Sequence, residues 1–129
     1  MVLDTSALLA LLLDDVEAEA FRAAVEEDDT RLVSAATLLE TAIVIEARKG
    51  GPGGRELDAL IQTAGVVVVA VDGDHAAEAR RAWRRYGRGR HAAALNFGDV
   101  FAYALARVSG EPLLFKGDDF AKTDISRVI

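Results

Sequence analysis

The sequence contains no cysteine and only two histidines among its 129 residues. Without cysteine the chain can form no disulfide, no thiolate zinc site and no cysteine nucleophile, a composition that suits a reducing cytosol. Two histidines are too few for a histidine-rich metal site and argue against a triad-type enzyme, and we expect both, His75 and His91, to lie on the surface. Carboxylates are plentiful, with 21 Asp and Glu residues, so any chemistry is expected to depend on them.

Long apolar runs are also absent. The chain begins MVLDTSALLALLL, but the apolar run at residues 7–13 is far shorter than the roughly 20 residues of a membrane-spanning helix. The same segment has neither the basic start nor the small-x-small cleavage site of a signal peptide. We therefore predict a cytoplasmic protein without a membrane partner. Because 51% of the residues are hydrophobic, residues 1–129 are predicted to form a single domain with a real core.

Strand-like and helix-like segments alternate along the chain, which predicts an α/β fold with a central parallel sheet. Strands are predicted at residues 2–4, 31–34, 66–71 and 112–115. The run VVVVAV at 66–71 has the unbroken apolar pattern of a parallel strand covered on both faces. Helices are predicted at residues 5–13, 16–26, 36–49, 55–64, 74–86 and 96–108. GGPGG at 50–54 is predicted to connect two helices, and KGDDF at 116–120 to form a turn.

Asp4 lies between two apolar segments, where an uncompensated carboxylate is costly. Its simplest role is structural, as the cap of the following helix, accepting backbone N–H groups. Ligands of parallel α/β sheets bind beyond the carboxyl ends of the strands, however, and Asp4 ends the first predicted strand. Asp118 and Asp119 follow the last predicted strand in the same way. These independent placements favour a site at this edge of the sheet.

Two further acids stand in apolar helical sequence. Glu40, in TLLETAIVIEAR, is in a position where a carboxylate is rarely buried unless it is paired or binds a metal. The alternative is that Glu40 lies on a solvent-exposed stripe of the helix. Asp99, in NFGDVFAYALA, either stabilises a helix N-terminus or enters a partly buried site. If Asp4, Glu40 and Asp99 converge with Asp118 or Asp119, Mg²⁺ or Mn²⁺ would offset their repulsion. A phosphodiester is the natural substrate of such a pocket.

The charge is unevenly distributed. The formal net charge is −6, yet RRAWRRYGRGRH at residues 80–91 holds six arginines and no acid, so the other residues sum to −12 (−6 minus +6). Arg80 and Arg84 share one helix face by their spacing, and Arg88 lies in the loop beyond. These arginines either contact an RNA backbone or form a solvated helix face. For Trp83, packing in the core or in a dimer interface is favoured over a position under a base.

Four segments, in this order over the whole chain, together resemble the PIN-domain ribonucleases, and most closely the VapC toxins of bacterial toxin–antitoxin pairs: MVLDTSAL, LLETAIVIEAR, NFGDVFAYALA and LLFKGDDFAKTDI. The resemblance implies a three-layer α/β/α sandwich and an endoribonuclease that depends on Mg²⁺ or Mn²⁺. It also implies a homodimer inhibited by a cognate antitoxin. A metal-activated water would attack phosphorus in line and the 3′ oxygen would leave, giving a 5′ phosphate and a 3′ hydroxyl.

The resemblance also assigns residues. The implied catalytic acids, all of which except Asp118 would bind the metal, are Asp4, Glu40, Asp99, Asp118 and Asp119. Asp119 is favoured over Asp118 as the fourth acid because it directly precedes Phe120. The residues predicted to contact substrate are Ser6 and Asn96 from these motifs and Arg80, Arg84 and Arg88 from the arginine-rich segment at residues 80–91. Thr5 and Asp124 belong to the same motifs, and the role of Asp124 is not fixed by them.

Other classes of protein fit less well. A receiver domain needs paired acids near its first strand, where this chain offers only Asp4. A haloacid-dehalogenase-type phosphatase needs a second Asp two residues later, where this chain has Ser6. A PIN-like module that binds without cutting would be supported by a missing acid, and none is missing. Separately, residues 7–13 and 16–25 carry more apolar side chains than one face of the sheet needs. An antitoxin helix, a second copy of the chain or core packing alone would cover them.

Overall fold

A computed structural model describes all 129 residues, as a four-stranded sheet with helices on both faces. The strands are β1 (Val2–Leu3), β2 (Leu32–Ser34), β3 (Val67–Val69) and β4 (Leu113–Leu114). They are hydrogen-bonded in the order β3-β2-β1-β4, and every neighbouring pair is parallel. Parallel neighbours need crossover connections, which the helices supply. The predicted α/β/α sandwich with a mostly parallel sheet is confirmed.

Six α-helices accompany the strands: α1 (Thr5–Leu12), α2 (Ala18–Glu27), α3 (Ala35–Lys49), α4 (Gly51–Thr63), α5 (Gly73–Tyr86) and α6 (Asp99–Ser109). A short 3-10 helix, Phe120–Lys122, follows β4. The side chains of Asp4, Ser34 and Asp72 cap α1, α3 and α5 by accepting backbone N–H groups. None of the helices combines the length and the apolar character that crossing a bilayer requires.

The sheet separates two apolar clusters. On one face Val2 and Leu113 pack with residues of α5 and α6. On the other face Leu3 and Leu114 pack with residues of α1 and α2. Neighbouring residues of β1 and β4 serve opposite layers because side chains alternate along a strand. The residues that follow β1 and β4 therefore emerge side by side at one edge of the sheet, between the two helical layers.

The third strand lies at the edge of the sheet, so the prediction of a strand covered on both faces at residues 66–71 is wrong. Only Val67–Val69 forms β3, and its single neighbour is β2. Val67 is 57% exposed and Val68 is 45% exposed. A run of valines favours a strand, but the place of that strand in a sheet is decided by distant pairing partners.

The GGPGG segment is not a connection between helices, contrary to the prediction. Gly50 alone separates α3 from α4, with a φ of +67°, and α4 begins at Gly51. Pro52 fits the first helical turn, where its missing N–H group has no partner to lose. A Cβ at Gly53 would lie 2.8 Å from the carbonyl oxygen of Ile45. The glycines therefore allow α4 to pack closely against α3.

The two histidines differ in burial. His91 is exposed, as predicted. His75 is only 5% exposed, so the prediction that it lies on the surface is wrong. It begins the buried stripe of α5, which continues at Ala79, Ala82 and Tyr86 with the spacing of one helix face.

Candidate active site

Asp4 is the most deeply buried acid of the site, at 4% exposure. Its Oδ2 accepts the Ser6 backbone N–H at 2.9 Å and the Ser6 hydroxyl at 2.6 Å. The capping role considered from the sequence is therefore present, and it coexists with a position in the site. Burial raises the pKa of Asp4 and the charge of Glu40 adds to the rise, while the hydrogen bonds from Ser6 oppose it. Such a carboxyl group needs either a proton or a nearby cation.

Glu40 enters the site from the middle of α3 and is partly buried. The Thr5 hydroxyl donates to its Oε1, and the Thr41 hydroxyl donates to Thr5 Oγ1 at 3.4 Å. Gly98 lies against the other oxygen, because a Cβ at this position would overlap Glu40 Oε2. Glu40 is thus held between the start of α1 and the residue that precedes α6.

Asp99 begins α6 in a reciprocal arrangement with Asn96. The Asn96 backbone N–H donates to Asp99 Oδ2, and the Asp99 backbone N–H donates to Asn96 Oδ1, both at 2.9 Å. This pairing resembles a capping box and fixes the orientation of the carboxylate. Burial raises the pKa of Asp99 to about 6; the Asn96 hydrogen bond opposes the rise, and the charges of Asp4, Glu40 and Asp119 add to it. Asp99 is therefore close enough to each of the other three for their charges to repel, and Asp4, Glu40, Asp99 and Asp119 are hereafter the acidic cluster.

The two neighbouring aspartates after β4 are not equivalent. Both are exposed, in the turn that leads to the 3-10 helix. The charge of Asp119 contributes to the raised pKa of Asp99. This contribution favours Asp119 over Asp118 as the fourth acid, in line with its position directly before Phe120.

The acidic cluster has no basic partner within the chain, since every ion pair lies elsewhere. Lys116 lies between β4 and the two aspartates that follow it. Its Nζ lies 2.8 Å from Asp15 and 3.4 Å from Glu17. The hydrogen bond to Asp15 is the main reason why the pKa of Lys116 is raised. The repulsion within the cluster is therefore left uncompensated.

The donor set fits a hard divalent cation that keeps part of its water shell. No three Asp, Glu or His side chains are arranged to bind one ion together. Mg²⁺ commonly takes one or two carboxylates directly and completes its coordination with water and phosphate oxygens, and Mn²⁺ accepts the same ligands. Asp4 and Asp99 are suited to this role because each carries a raised pKa and has no cationic partner.

Two of the three predicted substrate-binding arginines line a groove beside the acidic cluster. The groove, of about 590 Å³, lies between α5 and the start of α6, and Arg80 and Arg88 belong to its lining. Arg84 is exposed but does not line it. Trp83 lines the groove and is 43% exposed, so it does not pack in the core, whereas packing in a dimer interface stays a prediction.

Ser6, predicted to contact substrate, has its hydroxyl engaged by the protein. The hydroxyl donates to Asp4 and accepts the Lys116 backbone N–H at 2.9 Å. Ser6 thereby links the ends of β1 and β4. Asn96, also predicted to contact substrate, uses its side-chain oxygen to cap α6 and lies at the end of the groove next to Asp99.

Asp124 lies in a different environment. Its Oδ1 accepts the Tyr103 hydroxyl at 2.5 Å, and its Oδ2 lies 3.3 Å from Arg85 and 3.8 Å from Arg107. Burial would raise the pKa of Asp124, but the Tyr103 hydrogen bond and the two arginines outweigh it and lower the pKa. These contacts tie the C-terminal segment to α5 and α6.

Gly98 is a site residue that the sequence alone does not indicate. Its backbone is ordinary helical, with φ −67° and ψ −41°, so no turn requires a glycine there. The available signal was a glycine directly before Asp99 in an otherwise apolar helical segment. The partner that makes this glycine necessary, Glu40, lies 58 positions earlier, too far along the chain to be recognised from pattern.

Comparison with known proteins agrees with this architecture. The PIN domain family model matches residues 1–126. Ribonuclease VapC30 of Mycobacterium tuberculosis is 61% identical over 128 residues, covering 99% of this chain and 98% of that protein. Ribonuclease VapC of Mycolicibacterium smegmatis is 59% identical over 128 residues and 99% of each chain. The chain belongs to the PIN-domain family and, within it, to the VapC group. The resemblance found in the sequence motifs is confirmed.

Solved structures agree at the level of the fold. VapC20 of Mycobacterium tuberculosis, a sarcin-ricin loop cleaving toxin, superposes with a TM-score of 0.77 at 20% identity, covering 96% of this chain and 95% of that one. A toxin–antitoxin complex from Klebsiella pneumoniae gives a TM-score of 0.69 at 18% identity, covering 95% and 92% of the two chains.

Proposed function

We propose that this chain is a divalent-metal-dependent endoribonuclease and the toxin of a toxin–antitoxin pair. Its VapC relatives at 59–61% identity are ribonucleases by name, which supports the ribonuclease class. The observation that carries the metal dependence is the acidic cluster, whose members repel one another without a basic partner in the chain. Mg²⁺ is the proposed cofactor, and Mn²⁺ is expected to substitute for it.

The proposed ligands are oriented before any ion binds. Ser6 fixes Oδ2 of Asp4 and Asn96 fixes Oδ2 of Asp99, so each carboxylate presents its second oxygen in a set direction. Glu40 and Asp119 are proposed to hold coordinated waters from the outside, a role in which carboxylates strengthen metal binding. When bound, the ion supplies positive charge to the phosphodiester and makes a water more acidic.

The proposed reaction needs no covalent intermediate. A water oxygen attacks phosphorus in line, and its proton passes to a carboxylate of the acidic cluster. The bond from phosphorus to the 3′ oxygen breaks, and the oxygen leaves and takes up a proton. The products are a 5′ phosphate and a 3′ hydroxyl. Arg80, Arg84 and Arg88 are proposed to contact the phosphates on either side of the cut.

A cognate antitoxin and a second copy of the chain are the proposed protein partners. Leu39 and Ile43 on α3 are each 61% exposed, an apolar surface that an association would cover. We assign the homodimer to this α3 surface and expect residues 1–129 to act as one domain. An RNA substrate and the lack of cysteine both suit a cytoplasmic location.

The test is cleavage of total cellular RNA by purified, antitoxin-free protein in Mg²⁺, Mn²⁺ or EDTA, with Asp99→Asn in parallel. The proposal expects discrete fragments with the metals and none with EDTA or with the variant. Calorimetric titration with Mn²⁺ gives a second readout that is independent of turnover. Intact RNA from folded wild type that still binds Mn²⁺ would instead indicate a module that binds RNA or antitoxin without cutting.

A further inference from the structure

We propose that His91 is a positioning residue for the acidic cluster, because it holds residues 87–95 in the shape that places Asn96 against Asp99. These residues, which follow α5, are hereafter the 87–95 loop. The inference rests on the proposed metal-binding role of Asp99. It adds to that role a residue eight positions earlier in the chain, which acts through the backbone and not on the metal or the RNA.

The 87–95 loop is closed at its base by backbone hydrogen bonds. The Arg88 N–H donates to the Leu95 carbonyl, and the Leu95 N–H donates to the Tyr86 carbonyl, both at 2.9 Å. Leu95 is fully buried, so the end of the loop is anchored in the core. The position of Asn96, the next residue, therefore depends on the path by which the loop reaches Leu95.

His91 organises the turn inside the 87–95 loop. Its Nδ1 accepts the Ala93 N–H at 3.0 Å, and its own backbone N–H donates to the Gly87 carbonyl at 3.1 Å. Its ring meets Tyr86 edge-on, with centroids 5.1 Å apart. Ala93 is fully buried, so its N–H would lack a partner without the imidazole, and an unpaired buried N–H is costly. The side chain of His91 thereby fixes the backbone two residues further on.

The residue after Ala93 has a strained backbone. Ala94 has a φ of +51°, in the left-handed region that a residue with a Cβ rarely adopts. Such a conformation persists only where surrounding contacts impose it. His91 supplies these contacts, because its carbonyl accepts the Ala94 N–H at 3.0 Å and its Nδ1 holds the residue before. Without the Nδ1 acceptor we expect Ala94 to relax and the end of the loop to shift.

Asn96 passes this constraint on to the acidic cluster. Its backbone N–H donates to Asp99 Oδ2 at 2.9 Å, and its Oδ1 accepts the Asp99 N–H. The direction of that backbone N–H is set by the planar peptide bond between Leu95 and Asn96. A shift at the end of the 87–95 loop would therefore turn the Asp99 carboxylate away from its present direction.

Two variants separate the hydrogen bond of His91 from the packing of its ring. His91→Phe keeps a ring beside Tyr86 and removes the Nδ1 acceptor. His91→Asn removes the ring and keeps an acceptor, since an asparagine side chain commonly accepts the backbone N–H two residues on. In calorimetric titration without RNA, His91→Phe should bind Mn²⁺ about three- to ten-fold more weakly, less than the loss for groups that touch a metal ligand directly. His91→Asn should bind Mn²⁺ like the wild type.

Two further readouts follow the effect to Asp99. The Asp99 amide hydrogen, which is bonded to Asn96 Oδ1, should exchange faster in His91→Phe. At saturating Mg²⁺, kcat of this variant should fall while KM for RNA stays unchanged. Adding Ala94→Gly should restore part of the Mn²⁺ affinity, because glycine adopts a positive φ without outside help.

The matched control is Ser109→Ala, at the other end of α6. Ser109 Oγ accepts the Glu111 N–H at 3.3 Å, a bond that also joins a side chain to the backbone two residues on. Ser109→Ala should keep the Mn²⁺ affinity, the Asp99 exchange rate and the cleavage rate of the wild type. Urea denaturation of all variants shows that each is folded under the conditions of the titration.

Three outcomes would overturn the positioning role. The first is a His91→Phe protein with the Mn²⁺ affinity and the Asp99 exchange rate of the wild type. The second is an equal loss in His91→Asn, since the ring rather than Nδ1 would then hold the loop. The third is a higher KM in both variants at unchanged Mn²⁺ affinity, which would make His91 an RNA contact. If the wild type neither bound Mn²⁺ nor cleaved RNA, the proposed function would fail, whereas the Asp99 exchange rate would still decide the role of His91.

Discussion

Two groups of residues, one around Asp124 and one around Asp99, surround an aspartate in opposite ways. Asp124 lies among Tyr103, Arg85 and Arg107, and its pKa is lowered. Asp99 lies among three other acids with no cation, and its pKa is raised to about 6. Both residues have the same side chain, although Asp124 is exposed and Asp99 is partly buried. The difference is that the fold provides a counter-charge to one of them and withholds it from the other.

This comparison separates a structural role from a functional one. An acid that is satisfied within the chain contributes to stability and needs nothing further. An acid whose charge is opposed by its own neighbours lowers the stability of the free protein, a cost typical of sites that bind a ligand of opposite charge. Lys116 strengthens the contrast, because it lies next to the acidic cluster in sequence and yet pairs with Asp15 and Glu17.

The most direct way to break this comparison is to make the same substitution in both groups. Asp99→Asn should lower RNA cleavage by more than about 100-fold, since it removes a proposed metal ligand. Asp124→Asn should leave cleavage nearly unchanged and lower the free energy of unfolding by about 1 kcal/mol, because its ion pairs are partly exposed to solvent. Cleavage rates and urea denaturation of both variants provide the measurement. Equal losses of cleavage would remove the distinction between the two groups.

Gly98→Ala should have the next largest effect. The added methyl group would displace the Glu40 carboxylate, so Mn²⁺ affinity and cleavage should fall roughly 10- to 100-fold, as for other residues that orient metal ligands. The fold should persist because the Gly98 backbone is helical. Mn²⁺ titration by calorimetry measures the affinity.

Two further variants test whether the effect of Gly98→Ala acts through Glu40. Gly73→Ala is the matched control, since a Cβ there meets nothing within 4 Å. Adding Glu40→Asp to Gly98→Ala shortens the displaced side chain and should restore part of the Mn²⁺ affinity. No recovery in the double variant, or an equal loss in Gly73→Ala, would count against the contact as the cause.

The pH dependence of stability sharpens the comparison further. For an acid whose pKa is raised on folding, the stabilising contribution is complete below its unfolded pKa of about 4 and is lost as the pH rises through its folded pKa. For Asp99 this window runs from about pH 4 to just above pH 6. Metal-free Asp99→Asn should therefore exceed wild type in free energy of unfolding by about 1 kcal/mol at pH 7.5, after allowance for solvent screening.

Urea denaturation in EDTA at pH 7.5 and pH 4 would measure this difference. The advantage of Asp99→Asn should shrink towards zero at pH 4, where wild-type Asp99 also carries a proton. Saturating Mn²⁺ should reverse the order at pH 7.5, adding about 2.7 kcal/mol to wild type at 100 times the dissociation constant. An Asp99→Asn protein that is less stable than wild type in EDTA would contradict the raised pKa.

The smallest effect is expected at Lys116. Its exposed side chain pairs with acids outside the cluster, so Lys116→Gln should change neither the rate of cleavage nor its metal dependence. Steady-state kinetics over a range of Mg²⁺ concentrations would test this. A marked change in the Mg²⁺ requirement would indicate that Lys116 reaches the acidic cluster during turnover.

Residues next to strand ends were predictable from the sequence. Asp4 and Asp119 each follow a short apolar strand, and parallel strands bring such residues to one edge of the sheet. Glu40 and Asp99 were noticeable because their neighbours are apolar. In each case the signal lies within a few residues of the acid, which is the range over which hydrophobic patterning carries information.

Features that depend on distant partners were not predictable. The valines of β3 indicate a strand but not that it pairs on one side only. The start of α4 at Gly51 depends on how closely that helix approaches Ile45. Position 98 requires a glycine because Glu40 lies against it, and Lys116 turns away from the acidic cluster because it pairs with Asp15. Each of these features depends on contacts between residues far apart in the chain, about which secondary-structure propensity carries no information.

The C-terminal segment has a consequence for assembly through the sheet. Leu113 in β4 donates to the Ser126 carbonyl and accepts the Val128 N–H, so the outer edge of β4 is already paired within the chain. Only the outer edge of β3 offers free backbone groups. With a single open edge per molecule, strand-to-strand pairing between copies would end at two chains and could not propagate into a filament.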